Sequence, residues 1–172
     1  MGYPPESKAT NIARSTCHPL PPQECRDPAR RRMMRKTQSA ESAQADTLIG
    51  QYEPEVQTLI HAARRTLRQA FRGATETCDL QARVLGYGYG PGYKGIVATL
   101  ILGKTGIKIG IPYGSSLPDP AHLLAGGGRV HRHVAIKDAA GLKAPELAAL
   151  LRNAFRAWQE RTGDGRASTS AH

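Results

Sequence analysis

The longest regular pattern of apolar positions begins just after Pro54. Val56, Leu59, Ile60, Ala63, Leu67, Ala70 and Phe71 recur every three or four residues, which is the stripe of an amphipathic helix. Pro54 suits its first turn and Gly73 its end. The other side carries His61, Arg64, Arg65, Arg68 and Arg72, so that Arg64, Arg68 and Arg72 stand one turn apart as a positive ridge. The period then changes to two. Cys78, Leu80, Ala82 and Val84 alternate with Thr77, Asp79, Gln81 and Arg83, which predicts one half-buried strand from Thr77 to Leu85. Ile96 to Leu102, IVATLIL, is apolar on both sides and predicts a central strand covered on both faces. Helices on one side would leave the other to a homodimer contact or a second layer.

Beyond Gly103–Gly106 the alternation resumes with Ile107, Ile109, Ile111 and Tyr113, a further strand. Pro118 and Pro120 flank Asp119 ahead of an expected helical turn, Ala121 to Leu124, which Gly126–Gly128 would end. Val130 to Ile136 predicts another strand, with Val130, Arg132, Val134 and Ile136 on one face and His131, His133 and Ala135 on the other. Pro145 opens a last helix with the stripe Leu147, Leu150, Leu151, Ala154, Phe155 and Trp158. The sum is an α+β two-layer sandwich, an antiparallel sheet with two long helices on one face.

The flanks read differently. Six prolines and few apolar residues leave 1–45 without a period, so this stretch is expected to be a disordered extension. Its natural start is a candidate for mis-annotation, with Met33 or Met34 as the alternative. The domain is placed at 46–160, with Asp46 as the N-cap of a short turn, and 161–172 as a disordered tail.

Charge adds a direction. The 172 residues carry a formal net charge of +10. Residues 46–172 hold 16 Lys/Arg against 10 Asp/Glu, so the excess belongs to the domain as well as to its extension. Such a surface attracts nucleic acid, phosphates or acidic proteins, and the Arg64–Arg65–Arg68–Arg72 ridge is the candidate contact. Its plainer alternative is a solvated helix face. The three cysteines, Cys17, Cys25 and Cys78, give no disulfide framework, which fits a reducing cytoplasm. Cys17-His18 with Cys25 lacks a fourth zinc ligand at matching spacing. No apolar run approaches the ~18 residues that suggest a membrane span.

Chemistry concentrates in Gly110–Lys137. A charge at Arg132 falls on the apolar face and needs a partner, for which Asp119 is the first candidate and Asp79 the second. Arg132 then either clamps the loop to the strand or binds an anion in a pocket with Tyr113, Asp119 and His133. His131 and His133 stand about 7 Å apart along a strand, and His122 would complete a three-histidine metal set. The alternative is exposed strand histidines. Gly86–Gly95 lies between strands, carries Pro91 and matches no phosphate loop, so it reads as a wide hairpin connection; its Tyr87, Tyr89 and Tyr93 beside Lys94 suit base stacking. No Ser-His-Asp set or acid pair indicates an enzyme.

Leu117-Pro118-Asp119-Pro120, Leu123-Leu124, Gly126 with Gly128, Arg132-His133-Val134 and the Leu-rich final helix together resemble the YdhG-like family, the domain of unknown function 1801. Tyr89-Gly90-Pro91-Gly92-Tyr93-Lys94 is similar to the family's Tyr-Gly-x-Pro-x-aromatic element, one residue shorter. The resemblance covers about Asp46 to Phe155. It implies a small cytoplasmic protein with a binding role, and a frataxin-like share in iron handling for iron–sulfur assembly, since some members are so described. Frataxin-type iron binding relies on an acidic first helix, whereas the helix here carries Glu53 and Glu55 and then four arginines.

Overall fold

The computed structural model of the chain describes residues 28–163. The Cys17–His18–Cys25 grouping, the natural start and residues 164–172 lie outside them. The two long apolar stripes fold as read: α2 spans Pro54–Ala70 and α5 spans Pro145–Thr162. Gly163 closes α5 in the left-handed conformation, φ 80°. Leu59, Ile60, Ala63 and Leu67 of α2 are buried with Leu147, Leu150, Leu151 and Trp158 of α5 against one face of the sheet.

That sheet has five antiparallel strands, β1 Thr75–Asp79, β2 Val84–Gly88, β3 Ile96–Leu102, β4 Ile107–Ile111 and β5 Arg132–Ile136, in the order in which the chain makes them. The fold is therefore the predicted α+β two-layer sandwich, and IVATLIL is indeed its central strand. Leu85, Leu100, Ile109 and Val134 line up across β2–β5 on the helix side. No described helix is long and apolar enough to cross a membrane.

Five expectations fail, at four places in the chain. Thr77–Leu85 is a hairpin, not one strand. Its alternation runs through a turn in which Leu80 stays exposed, Arg83 takes φ 55° and the Asp79 carboxylate accepts the Ala82 N–H at 2.9 Å. A side-chain oxygen that holds the backbone two or three residues on favours a turn over a ladder.

Residues 28–45 are not disordered, and Asp46 is no N-cap. Both belong to α1, Pro28–Ile49. Between Pro28 and Ile49 there is no second proline and no glycine, and Ala, Arg, Met and Gln favour a helix. The apolar stripe that would have betrayed it appears only at its end, where Ala45, Leu48 and Ile49 are buried. Glu41 accepts the Cys78 N–H at 2.8 Å, so α1 also caps a donor of edge strand β1.

Ala121–Leu124 forms no helical turn. Instead a single 3-10 turn, Gly114–Ser116, follows Tyr113. Downstream, Asp119 accepts the N–H groups of Leu123 and Leu124 at 3.0 and 2.7 Å, which turns the chain back without a helix. Finally, the last strand begins at Arg132, two residues later than expected, and a short helix α4, Ala139–Lys143, follows it behind the Asp138 cap.

The Gly86–Gly95 stretch is the expected kinked connection, though Tyr87 belongs to β2. A bulge between Tyr87 and Gly88 shifts the register against β3, and a short helix α3, Gly92–Gly95, completes the crossing. The chain passes so close to itself that a Cβ at Gly88 would strike the Gly95 carbonyl, while one at Gly127 would meet nothing. Gly88→Ala is expected to cost about 1–3 kcal/mol in urea unfolding; Gly127→Ala is expected within about 0.5 kcal/mol of the parent. Equal effects would contradict the close approach.

Candidate functional site

The positive ridge on α2 does not exist as read. Arg64 is 4% exposed and points into the interface between α2, α1 and the sheet. Its guanidinium donates to Glu76 Oε1 at 2.7 Å and Oε2 at 3.3 Å, to Asp46 Oδ1 at 2.5 Å and to Ser42 Oγ at 3.4 Å. Arg68 donates to Glu76 Oε1 at 2.9 Å, and the Tyr87 hydroxyl to Oε2 at 2.8 Å. Arg65 and Arg72 remain exposed on the surface. Four basic residues on one face thus divide into one buried, one tied and two free. A buried charge needs partners with good geometry, and here a carboxylate on β1, invisible to the helical period, supplies them.

Burial alone would raise the Glu76 carboxyl, but the hydrogen bonds of Arg64 and Tyr87 and the charges of Arg64 and Arg68 outweigh it and hold it below its ordinary value. Burial likewise works against charge on Arg64, and Glu76 and Asp46 more than compensate, so its pKa lies above the ordinary one. Tyr87 is pushed up by burial and by the Glu76 charge and keeps its proton for donation.

The Arg132 expectation is also corrected. Asp79 stands on β1, at the opposite edge of the sheet from Arg132 on β5, and Asp119 spends its carboxylate on its own loop. Arg132 Nη1 instead donates to the backbone carbonyls of Gly128 and of His131, the latter at 3.1 Å, and its Cβ backs onto Gly114. It ties the loop to the strand through carbonyls, without a carboxylate. Among the described residues, no side-chain hydrogen bond joins Tyr113, Asp119, Arg132 and His133 to one another.

Nor do the histidines form a set. His133 pairs its backbone with Ala125 at 2.8 and 3.0 Å and lays its ring against Gly126. His122 sits in the loop at φ 54°, and His131 turns toward two tyrosines. Among the described residues, no three of His, Cys, Asp and Glu gather as metal ligands.

What does converge is an aromatic and basic corner at one end of the sheet. Tyr93 of α3, Tyr113 after β4, His131 before β5 and Arg161 from the last turn of α5 meet there. The Tyr93 hydroxyl lies 3.0 Å from the His131 ring nitrogens, and the two rings stand edge to face at 5.6 Å. Tyr113 meets the same imidazole at 6.5 Å, and Arg161 Cζ sits 4.1 Å above the Tyr113 centroid. Such a cation over a ring is attracted by its quadrupole. Tyr113 adopts φ 58°, ψ 23°, the left-handed region that a bulky residue enters only where its surroundings hold it there.

Tyr93, Tyr113 and Val130 are three of the five large apolar side chains left exposed among the described residues; the Ser115 N–H bonds the Val130 carbonyl at 3.2 Å and keeps that residue beside the Tyr113 turn. Burial and the neighbouring Tyr113 raise the Tyr93 hydroxyl, and Arg161 offsets part of the rise. Beneath, Tyr89 packs on Phe155 and Trp158, and the Trp158 indole N–H donates to the Lys94 carbonyl at 3.1 Å. The corner is thus built on a rigid aromatic base.

Sequence reasoning named Tyr93 and Tyr113 separately and missed Arg161 altogether. Only the order of strands, which brings 93, 113 and 131 to one end, could have joined them. Searches of family models, of curated proteins and of solved structures find no match to the chain.

Two outcomes follow for the buried charges. Glu76→Gln is expected to cost about 3 kcal/mol at pH 7, because it strands Arg64. A carboxyl held below its ordinary value of 4.5 stabilises the fold above that value, and the stabilisation is lost as pH falls through the folded-state pKa. Urea titrations from pH 7 downward should therefore show the parent losing stability on acidification more steeply than Glu76→Gln.

Proposed function

We propose that the chain is a cytoplasmic binding domain of the YdhG-like kind whose ligand surface is the Tyr93–Tyr113–His131–Arg161 corner. Its ligand, on this reading, is an unpaired nucleotide within single-stranded nucleic acid. The observation that carries it is the exposed tyrosine pair with a guanidinium stacked on one ring. Exposed aromatic rings accept bases of any sequence, and adjacent cations follow the phosphates. The formal net charge of +10 supplies the long-range attraction. This moves the nucleic-acid contact from the α2 ridge to the corner.

The frataxin-like reading draws no comparable support. Iron prefers clustered oxygen donors, whereas the buried face of α2 carries Arg64 and its exposed one Arg65 and Arg72. No enzymatic group is required at the corner, because stacking and ion pairing account for each of its members.

Fluorescence anisotropy with a labelled poly-pyrimidine 12-mer provides the test. Binding is expected to weaken linearly in log salt. Tyr93→Ala and Tyr113→Ala should each weaken it by about 1–3 kcal/mol, roughly five- to 150-fold. Arg161→Gln should flatten the salt slope by about one. If inorganic polyphosphate competes fully and neither tyrosine matters, binding is electrostatic alone and the corner is not its seat.

A further inference from the structure

We infer that a second copy of this chain covers the open face of the sheet, by a two-fold axis running along the strands between β2 and β3. The helices fill one face. The other is not filled: Val84, Ile96, Thr99 and Ile101 are half-buried there, and Thr77, Asp79, Lys108 and Ala135 are exposed. The bulge before Gly88 turns the Ile96 side chain onto this face, where its Cδ1 lies 3.8 Å from the position a Cβ on Gly86 would take. The central strand thereby presents three apolar or β-branched side chains that nothing among the described residues buries fully.

The strand register makes the face complementary to itself. Across β1 to β4, one row reads Asp79, Val84, Ile101, Lys108, and the next reads Thr77, Gly86, Thr99, Gly110; Gly88 then stands beside Ile96. A two-fold axis along the strands reverses each row onto itself. Asp79 then faces Lys108 of the second copy, and Val84 faces Ile101. The first row thus sets opposite charges and apolar side chains against each other across the axis. In the next row Thr77 faces Gly110 and Thr99 faces Gly86, glycines over which the threonine hydroxyls of the same copy already lean. The charges are placed asymmetrically, an acid on the edge strand and a base three strands away, so only reversal pairs them.

Sheets that stack face to face stay roughly aligned, with rows crossing at about 30°, which preserves these pairs near the axis. Five strands about 4.8 Å apart and about five residues deep give a patch below the standard interface size, in the range of weak, transient contacts. The dimer is therefore reversible and concentration-dependent. It involves none of the corner residues and stands apart from the nucleic-acid proposal.

Sedimentation velocity of the full chain between about 10 μM and 1 mM, the range of a small interface, tests it. The parent should shift from monomer to dimer. Lys108→Asp sets a carboxylate against Asp79 and should leave monomer throughout, and adding Asp79→Lys should restore the dimer. Because Asp79 also caps the β1–β2 turn, Ile101→Glu provides a second disruption that leaves the cap intact. Thermal melts confirm that each variant is folded. A parent that stays monomeric over the range, or a dimer that survives both Lys108→Asp and Ile101→Glu, overturns the inference.

Discussion

One carboxylate organises the interior. Glu76 is the sole acidic side chain among the buried described residues, and it accepts from Arg64, Arg68 and Tyr87 at once. Through these three donors it joins the first strand of the sheet to the second and to α2, and Arg64 extends the link to α1 by way of Asp46 and Ser42. Apolar packing would hold these layers together in many relative positions. A desolvated charge with fixed donor geometry tolerates far fewer, so the network sets the register of helices on sheet that the core alone leaves loose.

The same constraint explains what was legible in the sequence. The stripes of α2 and α5 and the two-sided apolar run of β3 announce themselves because burial follows the local period. Arg64 does not: it stands four residues after Ile60 and three before Leu67, at the margin of the buried stripe, but a guanidinium there reads as solvent-facing until Glu76 on another element pairs with it. The β1–β2 hairpin is hidden because Leu80 and Ala82 continue an alternation through a turn. The helix α1 is hidden for the opposite reason, having intrinsic propensity without a stripe over most of its length.

The candidate site was half legible. Tyr93 and Tyr113 stand out as aromatic residues in glycine-rich surroundings, and Arg132 as a charge on an apolar face. Their partners are another matter. His131 and Arg161 reach the tyrosines only because a meander returns two strand connections, β2–β3 and β4–β5, to one end of the sheet, beside the last turn of α5. Arg132, in turn, is satisfied by backbone carbonyls, and no pattern of side chains predicts such a partner. Long-range topology, not residue type, decided which chemistry came together.

The anchoring of the corner on α5 has an optical consequence. Trp158 is the one tryptophan in 172 residues. Its indole N–H holds the carbonyl of Lys94, the residue next to Tyr93, and its ring packs on Tyr89. The emission of a single buried indole, hydrogen-bonded to the floor of the corner, follows the polarity of that one place. The protein thus carries its own fluorophore at the base of its most exposed aromatic surface, and events there register as light without any label.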